Sequence, residues 1–280
     1  KLTADFHGHR ALLRFSSGTE ACVWVDGTAH AGLDPYHDTA PILPLDWRSA
    51  QRARGGEKID LWIEAACNLP LGATTFWWDQ PEQRARWNEA KPGRLECAEI
   101  VAIDEAVWQF CQRFDWLRRM LSSGNAEHSR TNDIDEGLNA IVRAIPAGNA
   151  TRQDVLAQRG ALDRLLKGRA SGERATTCIA IGHAHIDTAW LWRIDETRRK
   201  CVRSFATALR NIERFPNFRF LCSQAQQYQY VKEESPKLFD GIRAAVKAGK
   251  WEPNGAMWIE PDCTAPSGES FIRQITHGTS

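Results

Sequence analysis

The feature that most constrains the fold of this chain is an alternation of strand-like and helical segments in its C-terminal part. Short apolar runs at 176–181 and 218–222 and a strand-like segment at 251–260 are separated by stretches with helical periodicity. Strands that alternate with helices predict a parallel sheet, either open or closed into a barrel. We therefore expect an α/β fold whose functional residues lie at the carboxyl ends of the strands.

The region before this alternation follows two other patterns. Residues 1–103 contain short β-type runs, and Asp26-Gly27 is typical of a two-residue hairpin turn, which predicts a β-sandwich-like domain. Residues 104–170 have helical periodicity and predict a helical connector, with helices at 104–121, 133–145 and 151–166. Residues 171–280 are then predicted to begin a parallel β/α domain, either open or closed into a parallel β/α barrel.

Charge and cysteine content exclude several classes of protein. Lys+Arg 36 against Asp+Glu 35 gives a net charge of +1, so we expect neither nucleic acid nor a membrane surface as a partner. The 8 cysteines are scattered singly without a CxxC pair, which predicts reduced thiols in a cytoplasmic protein. The run Arg198-Arg199-Lys200, early in a predicted helix, is expected to be exposed.

The segment after the first predicted strand carries metal-ligand side chains. His183, His185 and Asp187 occupy every second position of this segment. In an extended segment, side chains at every second position point the same way. Imidazole nitrogens and carboxylate oxygens suit Zn²⁺. Asp262, at the end of the third strand-like segment, is predicted on the same edge as a further ligand or a nucleophile. The alternative is a polar rim of loop histidines, with Asp262 as a turn residue after proline.

These residues leave other functions open. A metal-dependent amidohydrolase on a β/α barrel also places His-x-His after its first strand, but it needs later histidines, and His277 is the only one between 204 and 280. A non-catalytic carbohydrate-binding module is the other alternative, because Trp24, Trp62, Trp77 and Trp78 lie in the sandwich-like region. Tryptophans at such positions are also typical of core packing.

Several motifs, taken in order, resemble the α-mannosidases of glycoside hydrolase family 38. The resemblance covers about residues 176–278, and more loosely the region upstream in cytosolic and bacterial members. Its motifs are Gly182-His183-Ala184-His185-Ile186-Asp187-Thr188-Ala189-Trp190, Glu196-Thr197, Arg203-Ser204-Phe205, Ser223-Gln224-Ala225, Lys232-Glu233, Trp258-Ile259-Glu260-Pro261-Asp262 and Pro266-Ser267-Gly268-Glu269-Ser270.

The resemblance implies a role for four residues of this chain. His185 and Asp187 match zinc ligands, Asp262 matches the nucleophile that also binds the metal, and Trp190 matches the aromatic residue that stacks under mannose. His183 matches no ligand. The implied cofactor is Zn²⁺ or another divalent metal such as Co²⁺. The general acid/base and the last zinc-binding histidine are expected beyond Ser280.

The implied function is that of a retaining exo-α-mannosidase acting on terminal α-mannosyl linkages of oligosaccharides. Its partner would be a mannose-containing oligosaccharide, and a homo-oligomer is compatible with the full-length protein. The chain begins without Met and ends in a predicted helix, so we expect a truncated fragment. Without the proton donor, which is worth ~10²–10⁴ in rate, the fragment is expected to be inactive.

Overall fold

The computed structural model describes residues 1–35, 37–42, 45–46, 49–50, 52–66, 93–122, 129–167, 179–190 and 192–280. The chain is mixed α/β. It divides into two compact units, one made of residues 1–102 with 180–280 and the other of residues 103–179. Trp77, Trp78, Cys67, Cys178 and most of the predicted strand at 176–181 lie outside the described residues. The three-part division at 103 and 170 stays a prediction.

The N-terminal region is built from short antiparallel strands. They are β1 (Arg10–Ser16), β2 (Ala21–Val25), β3 (Thr28–Leu33), β4 (Thr39–Pro41), β5 (Leu45–Asp46), β6 (Ser49–Ala50), β7 (Leu61–Ala65) and β8 (Cys97–Ile103). They form three sheets of order β4-β1-β8, β3-β2-β7 and β5-β6. Leu13, Val23, Leu33 and Ile42 are buried in one apolar core between them.

The hairpin predicted at Asp26-Gly27 is confirmed. Val25 of β2 pairs with Thr28 of β3 in an antiparallel register, and Asp26 and Gly27 have φ of +47° and +72°. Two successive positive φ angles match the twist of the flanking strands, which is why Asp-Gly is favoured at this turn. The other edge of β2 pairs with β7, with Ala21 opposite Ala65 and Val25 opposite Leu61.

The second unit is helical, as the periodicity predicted. Its helices are α1 (Glu105–Ser122), α2 (Ser129–Ala144), α3 (Arg152–Ala157) and α4 (Arg159–Leu166). Phe110, Leu117, Ile134, Ile141 and Leu162 are buried together in its core. The prediction of a single helix at 151–166 is wrong in one respect, because the structure interrupts the helix at Gln158. The Thr151 and Asp154 side chains form a capping box at the start of α3.

The C-terminal part carries the predicted parallel sheet. Its elements are β9 (Gly182–His183), α5 (Ile194–Arg214), β10 (Phe220–Leu221), α6 (Ala225–Glu234), α7 (Pro236–Lys247), β11 (Trp251–Glu252) and α8 (Gly268–Gly278). The central strand β10 pairs in parallel with both β9 and β11. The strands are shorter than predicted, and α6 was not anticipated. Whether the sheet closes into a barrel stays a prediction.

Helix α5 packs against both the parallel sheet and the N-terminal strands. Phe205 lies in an aromatic cluster with Phe220 and Trp251, and Cys22 of β2 and Ala29 of β3 belong to the same core. The backbone N–H of Gly32 donates to Thr207 Oγ1 over 2.8 Å. A Cβ at Gly32 would lie 3.2 Å from the Arg203 carbonyl oxygen, so this position favours glycine. None of the described helices is long and apolar enough to cross a membrane.

The prediction that Lys200 is exposed is wrong. Lys200 is only 6% exposed, and its Nζ lies 2.5 Å from Glu20 Oε2. Arg203 pairs with the same oxygen of Glu20 at 2.9 Å and with Glu196 Oε1 at 2.6 Å. We call Glu20, Glu196, Lys200 and Arg203 the charge cluster. The residues before β2 cover this side of α5, and the periodicity of the helix alone does not reveal a neighbour from elsewhere in the chain.

Candidate functional site

A cavity of about 440 Å³ lies where the segments that follow β9, β10 and β11 meet. This is the edge at which the sequence predicted the functional residues. The residues that line the cavity are His185, Asp187, Thr188, Ala189, Gln224, Met257, Glu260, Pro261, Asp262 and Cys263. Three of the four residues with a predicted role therefore share one cavity.

His185 and Asp187 lie side by side in this cavity. His185 Nε2 is 3.0 Å from Asp187 Oδ1, and His185 Nδ1 is 3.2 Å from Glu260 Oε2. The imidazole thus lies between two carboxylates from segments far apart in sequence. A nitrogen and an oxygen of the types that bind Zn²⁺ are adjacent, although no group of three or more metal-ligating side chains is found among the described residues. The donor chemistry, rather than an assembled set of ligands, fits a divalent metal.

Glu260 is a site residue to which the sequence assigned no role. Its Oε1 accepts a hydrogen bond from Ser223 Oγ over 2.7 Å, while Oε2 faces His185. A carboxylate that holds one imidazole nitrogen fixes which nitrogen is available for a metal. The signal that could have found Glu260 is its position two residues before Asp262, on the same predicted edge of the sheet.

Asp262 is held by the backbone that follows it. Its Oδ1 accepts hydrogen bonds from the Thr264 amide and the Thr264 hydroxyl, both over 3.1 Å, and also from the Cys263 amide. The bonds from the Thr264 and Cys263 amides and the Thr264 hydroxyl lower the pKa of Asp262 below its usual value. Asp262 adopts a φ of +64°, a conformation rare outside glycine that often marks functional sites. The group is therefore an exposed carboxylate held in its ionised form.

Trp190 and His183 do not line this cavity. Trp190 is 42% exposed and contacts Trp192 edge-on at a centroid distance of 5.3 Å. It follows Ala189, which does line the cavity, so the structure places it next to the site. His183 Nδ1 lies 2.9 Å from the Leu221 carbonyl oxygen across the β9–β10 pair. The exclusion of His183 from the ligand set stays a prediction.

Residues tied to the two alternative functions lie elsewhere. His277 packs edge-on against Trp258 at 6.5 Å, and His185 is the only histidine among the described residues that line the cavity. Trp24 and Trp62 oppose each other on β2 and β7. Trp62 is 67% exposed, whereas Trp24 packs against the core. A carbohydrate-binding role of these tryptophans stays a prediction.

Comparison with known protein families also separates the N-terminal strands from the C-terminal part that carries the cavity. Residues 175–280 match the glycosyl hydrolases family 38 N-terminal domain. Residues 1–101 match a domain described as alpha-mannosidase, jelly roll domain. The first match contains the whole cavity, and the second contains β1 to β7.

Similar proteins extend over most of this chain. Alpha-mannosidase 2C1 of Homo sapiens is 32% identical over 271 residues, which are 97% of this chain and 25% of that protein. Alpha-mannosidase G of Dictyostelium discoideum is 30% identical over 287 residues, 94% of this chain and 24% of that protein. An alpha-mannosidase of Saccharomyces cerevisiae is 41% identical over 104 residues. The chain spans about a quarter of the length of the first two relatives. These similarities show that residues 175–280 belong to the glycosyl hydrolase family 38 N-terminal domain and residues 1–101 to the alpha-mannosidase jelly roll domain.

Proposed function

We propose that this chain supplies the nucleophile and metal ligands of a retaining exo-α-mannosidase acting on terminal α-mannosyl linkages of oligosaccharides. The observation that carries the proposal is the convergence of His185, Asp187 and Asp262 on one cavity. The cavity lies at the carboxyl ends of parallel strands, within the residues that match the family 38 domain. Similarity to alpha-mannosidases supports a mannose-containing substrate.

The proposed metal ligands are His185, Asp187 and Asp262. A bound Zn²⁺, or another divalent ion such as Co²⁺, would supply positive charge for sugar hydroxyls and for the Asp262 carboxylate. The adjacency of His185 Nε2 and Asp187 Oδ1 at 3.0 Å supports this assignment. Glu260, on the other side of the imidazole, would hold Nδ1 and leave Nε2 for the metal.

The proposed nucleophile is Asp262. In a retaining glycosidase one carboxylate attacks the anomeric carbon while the bond to the leaving oxygen breaks, and water then hydrolyses the resulting ester. A lowered pKa keeps Asp262 anionic at neutral pH, and the bonds to Oδ1 hold its orientation. Protonation of the leaving oxygen is assigned to no residue of this chain. Trp190 is proposed to stack under the sugar ring, which is supported by its exposure of 42% and by its position directly after Ala189, a residue that lines the cavity.

A cytoplasmic location is part of the same proposal. Cys22, Cys97, Cys111, Cys201, Cys222 and Cys263 are all free thiols, as expected in a reducing compartment. We propose neither nucleic acid nor a membrane as a partner, since the net charge is +1. A homo-oligomer of the full-length protein stays a prediction.

The function is tested in the full-length protein with Asp262→Asn and His185→Ala, using Asp240→Asn on the exposed surface of α7 as the matched control. We expect Asp262→Asn to lower kcat for an aryl α-mannoside by about 10³-fold or more, since the nucleophile is lost. His185→Ala should lower bound zinc, measured by elemental analysis, together with activity. The control should retain both.

Two results would contradict these assignments. If Asp262→Asn keeps more than about a tenth of the wild-type kcat, Asp262 is a structural turn residue rather than the nucleophile. If His185→Ala binds as much zinc as the wild type, His185 is not a ligand. A fluorinated mannosyl fluoride that traps the glycosyl ester should label a peptide containing Asp262 in the wild type and leave it unlabelled in Asp262→Asn.

A further inference from the structure

One buried amide lies between the two segments that carry the proposed site residues. Gln224 follows β10 and is 6% exposed. Its Nε2 donates to the Ile186 carbonyl over 3.1 Å. Its Oε1 accepts from the Glu260 backbone N–H and from the Thr188 hydroxyl, both over 3.3 Å. A single side chain therefore bonds the segment of His185 and Asp187 to the segment of Asp262.

The backbone of Gln224 adopts a conformation that costs free energy. Its φ is +67°, in the left-handed region that glycine adopts readily and that most other residues avoid. Glycine would remove this strain, but it has no side-chain amide that could bond to either segment. A strained residue persists where the surrounding structure demands it, and such residues cluster at functional sites.

Gln227 provides an internal comparison. It is fully buried, and its Nε2 donates to the same Ile186 carbonyl over 2.5 Å and to Thr188 Oγ1 over 3.2 Å. Gln227 thus holds the first segment as Gln224 does. The Glu260 backbone N–H donates to Gln224 Oε1, so the two side-chain amides differ in whether they bond the second segment.

We propose that Gln224 is a positioning residue that sets the placement of Asp262 and Glu260 relative to His185 and Asp187. This inference rests on the proposed function. Without the amide, the Glu260 N–H loses its acceptor, and residues 260–262 lose their bond to the first segment through Gln224, while the Trp258 backbone stays bonded to Gln226 and Gln274. A metal bound by ligands from both segments would then bind more weakly. The nucleophile would also be misplaced, and a shift of about 1 Å is enough to cost ~10²-fold in rate.

The test compares Gln224→Asn, Gln224→Met and Gln227→Met in the full-length protein. Asparagine tolerates the left-handed conformation and keeps an amide, but it is one methylene shorter and cannot span both segments. This variant keeps the test informative if Gln224→Met fails to fold. Zinc Kd is measured by competition with a chromogenic chelator, stability by Tm, and kcat and KM with an aryl α-mannoside.

We expect Gln224→Asn and Gln224→Met to weaken zinc binding by ~10-fold or more, in the range seen when residues that orient metal ligands are removed. Their kcat should fall with little change in KM. Gln227→Met should lower Tm at least as much, yet weaken zinc binding clearly less than Gln224→Met, because the bond from the Glu260 N–H to Gln224 remains in place. If all three variants lose zinc affinity in proportion to Tm, Gln224 is merely structural and the inference is overturned while the function stands. A wild-type protein that binds no zinc and cleaves no mannoside would overturn both.

Discussion

Three cysteines illustrate how burial changes the chemistry of a side chain. Cys22, Cys201 and Cys222 are buried in the core around α5. Burial is the largest cause of the rise in the pKa of each thiol to about 12. Because the thiolate is the reactive form, these residues should behave as small apolar side chains rather than as nucleophiles.

Alkylation should therefore distinguish the cysteines of the native protein. With a pKa near 12, only about 10⁻⁴ of each buried thiol is ionised at pH 8. Cys111 and Cys263 are exposed and should be labelled by iodoacetamide first, with Cys22, Cys201 and Cys222 labelled only after denaturation. Site-resolved mass spectrometry measures the order. Labelling of Cys222 as fast as Cys263 in the folded protein would contradict the buried placement.

The sequence assigned roles to some residues of the site and left Glu260 and Gln224 without a role, for physical reasons. The alternation of His185 and Asp187 and the position of Asp262 at a strand end follow from chain geometry, so a pattern can reveal them. Glu260 and Gln224 form hydrogen bonds with Ser223 and with backbone groups, and Glu260 also pairs with the His185 imidazole. Those partners are set by how the loops turn, including a left-handed residue at 224, and no spacing in the sequence encodes them.

At the scale of elements, helix starts are determined by short-range polar contacts. Asp104 precedes α1, and its Oδ1 accepts from the amides of Ala106 at 3.0 Å and Val107 at 3.2 Å. Its Oδ2 pairs with the Arg152 guanidinium, just inside α3. The Arg152 hydrogen bond and the two amides lower the pKa of Asp104. One carboxylate thus caps a helix and joins it to a second helix of the same unit.

We expect Asp104→Ala to loosen the first turn of α1. Loss of an N-cap costs about 1 kcal/mol, which corresponds to about five-fold faster amide exchange if opening is local. Hydrogen exchange read by mass spectrometry on peptides covering 104–110 measures it. Asp115→Ala, which removes only exposed pairs within α1, is the control and should change exchange there by less than two-fold or so.

The same cap has a defined pH dependence. Because the folded pKa of Asp104 is lowered, its contribution is complete above the unfolded value of about 3.9 and is lost as the pH falls through the folded pKa. The difference in amide exchange between the wild type and Asp104→Ala should therefore disappear at the acidic end of a pH series. Persistence of the full difference below the folded pKa would show that the ionised carboxylate is not what stabilises the turn.

Sequence periodicity predicted elements best where one face is apolar. The β2–β3 hairpin was found from its Asp26-Gly27 turn, and α5 was found because Cys201, Phe205, Leu209 and Ile212 recur on one face, although Lys200 and Arg203 are buried as well. Helix α6 was missed because its buried residues include Gln227. The residues of its buried face therefore do not form an apolar pattern in the sequence. The third strand was predicted too long because backbone groups beyond Glu252 bond to helices. The Trp258 carbonyl accepts from Gln226 over 2.9 Å, and the Trp258 N–H donates to the Gln274 carbonyl over 2.9 Å.

At the scale of the whole molecule, the charge cluster joins distant parts of the sequence within one unit. Glu20 and Glu196 balance Lys200 and Arg203, and the Lys200 and Arg203 side chains are almost completely buried. Burial lowers the pKa of Lys200, and the neighbouring Glu20 carboxylate opposes that shift. The cations are therefore tolerated in the interior only because carboxylates accompany them.

Removing one anion should then be costly. We expect Glu20→Gln to destabilise the unit by about 3–5 kcal/mol, since it removes the carboxylate paired with the buried Lys200 and leaves Arg203 with Glu196 alone. The measurement is chemical unfolding of the full-length protein followed by tryptophan fluorescence. Asp38→Asn, at the exposed pair with Arg14, should cost less than about 1 kcal/mol. Adding Lys200→Met to Glu20→Gln should recover part of the loss, and failure to do so would show that the cost does not come from the unpaired charge.

The charge cluster also bears on whether the parts of this protein can be exchanged. Glu20 belongs to the residues that match the jelly roll domain, and Lys200 and Arg203 to those that match the family 38 domain. Transplanting either module onto a different scaffold would separate the carboxylate from its cations. We therefore expect that residues 1–101 cannot be removed without leaving Lys200 unpaired. Protein engineers who build chimaeras from this chain need to carry Glu20 and helix α5 together.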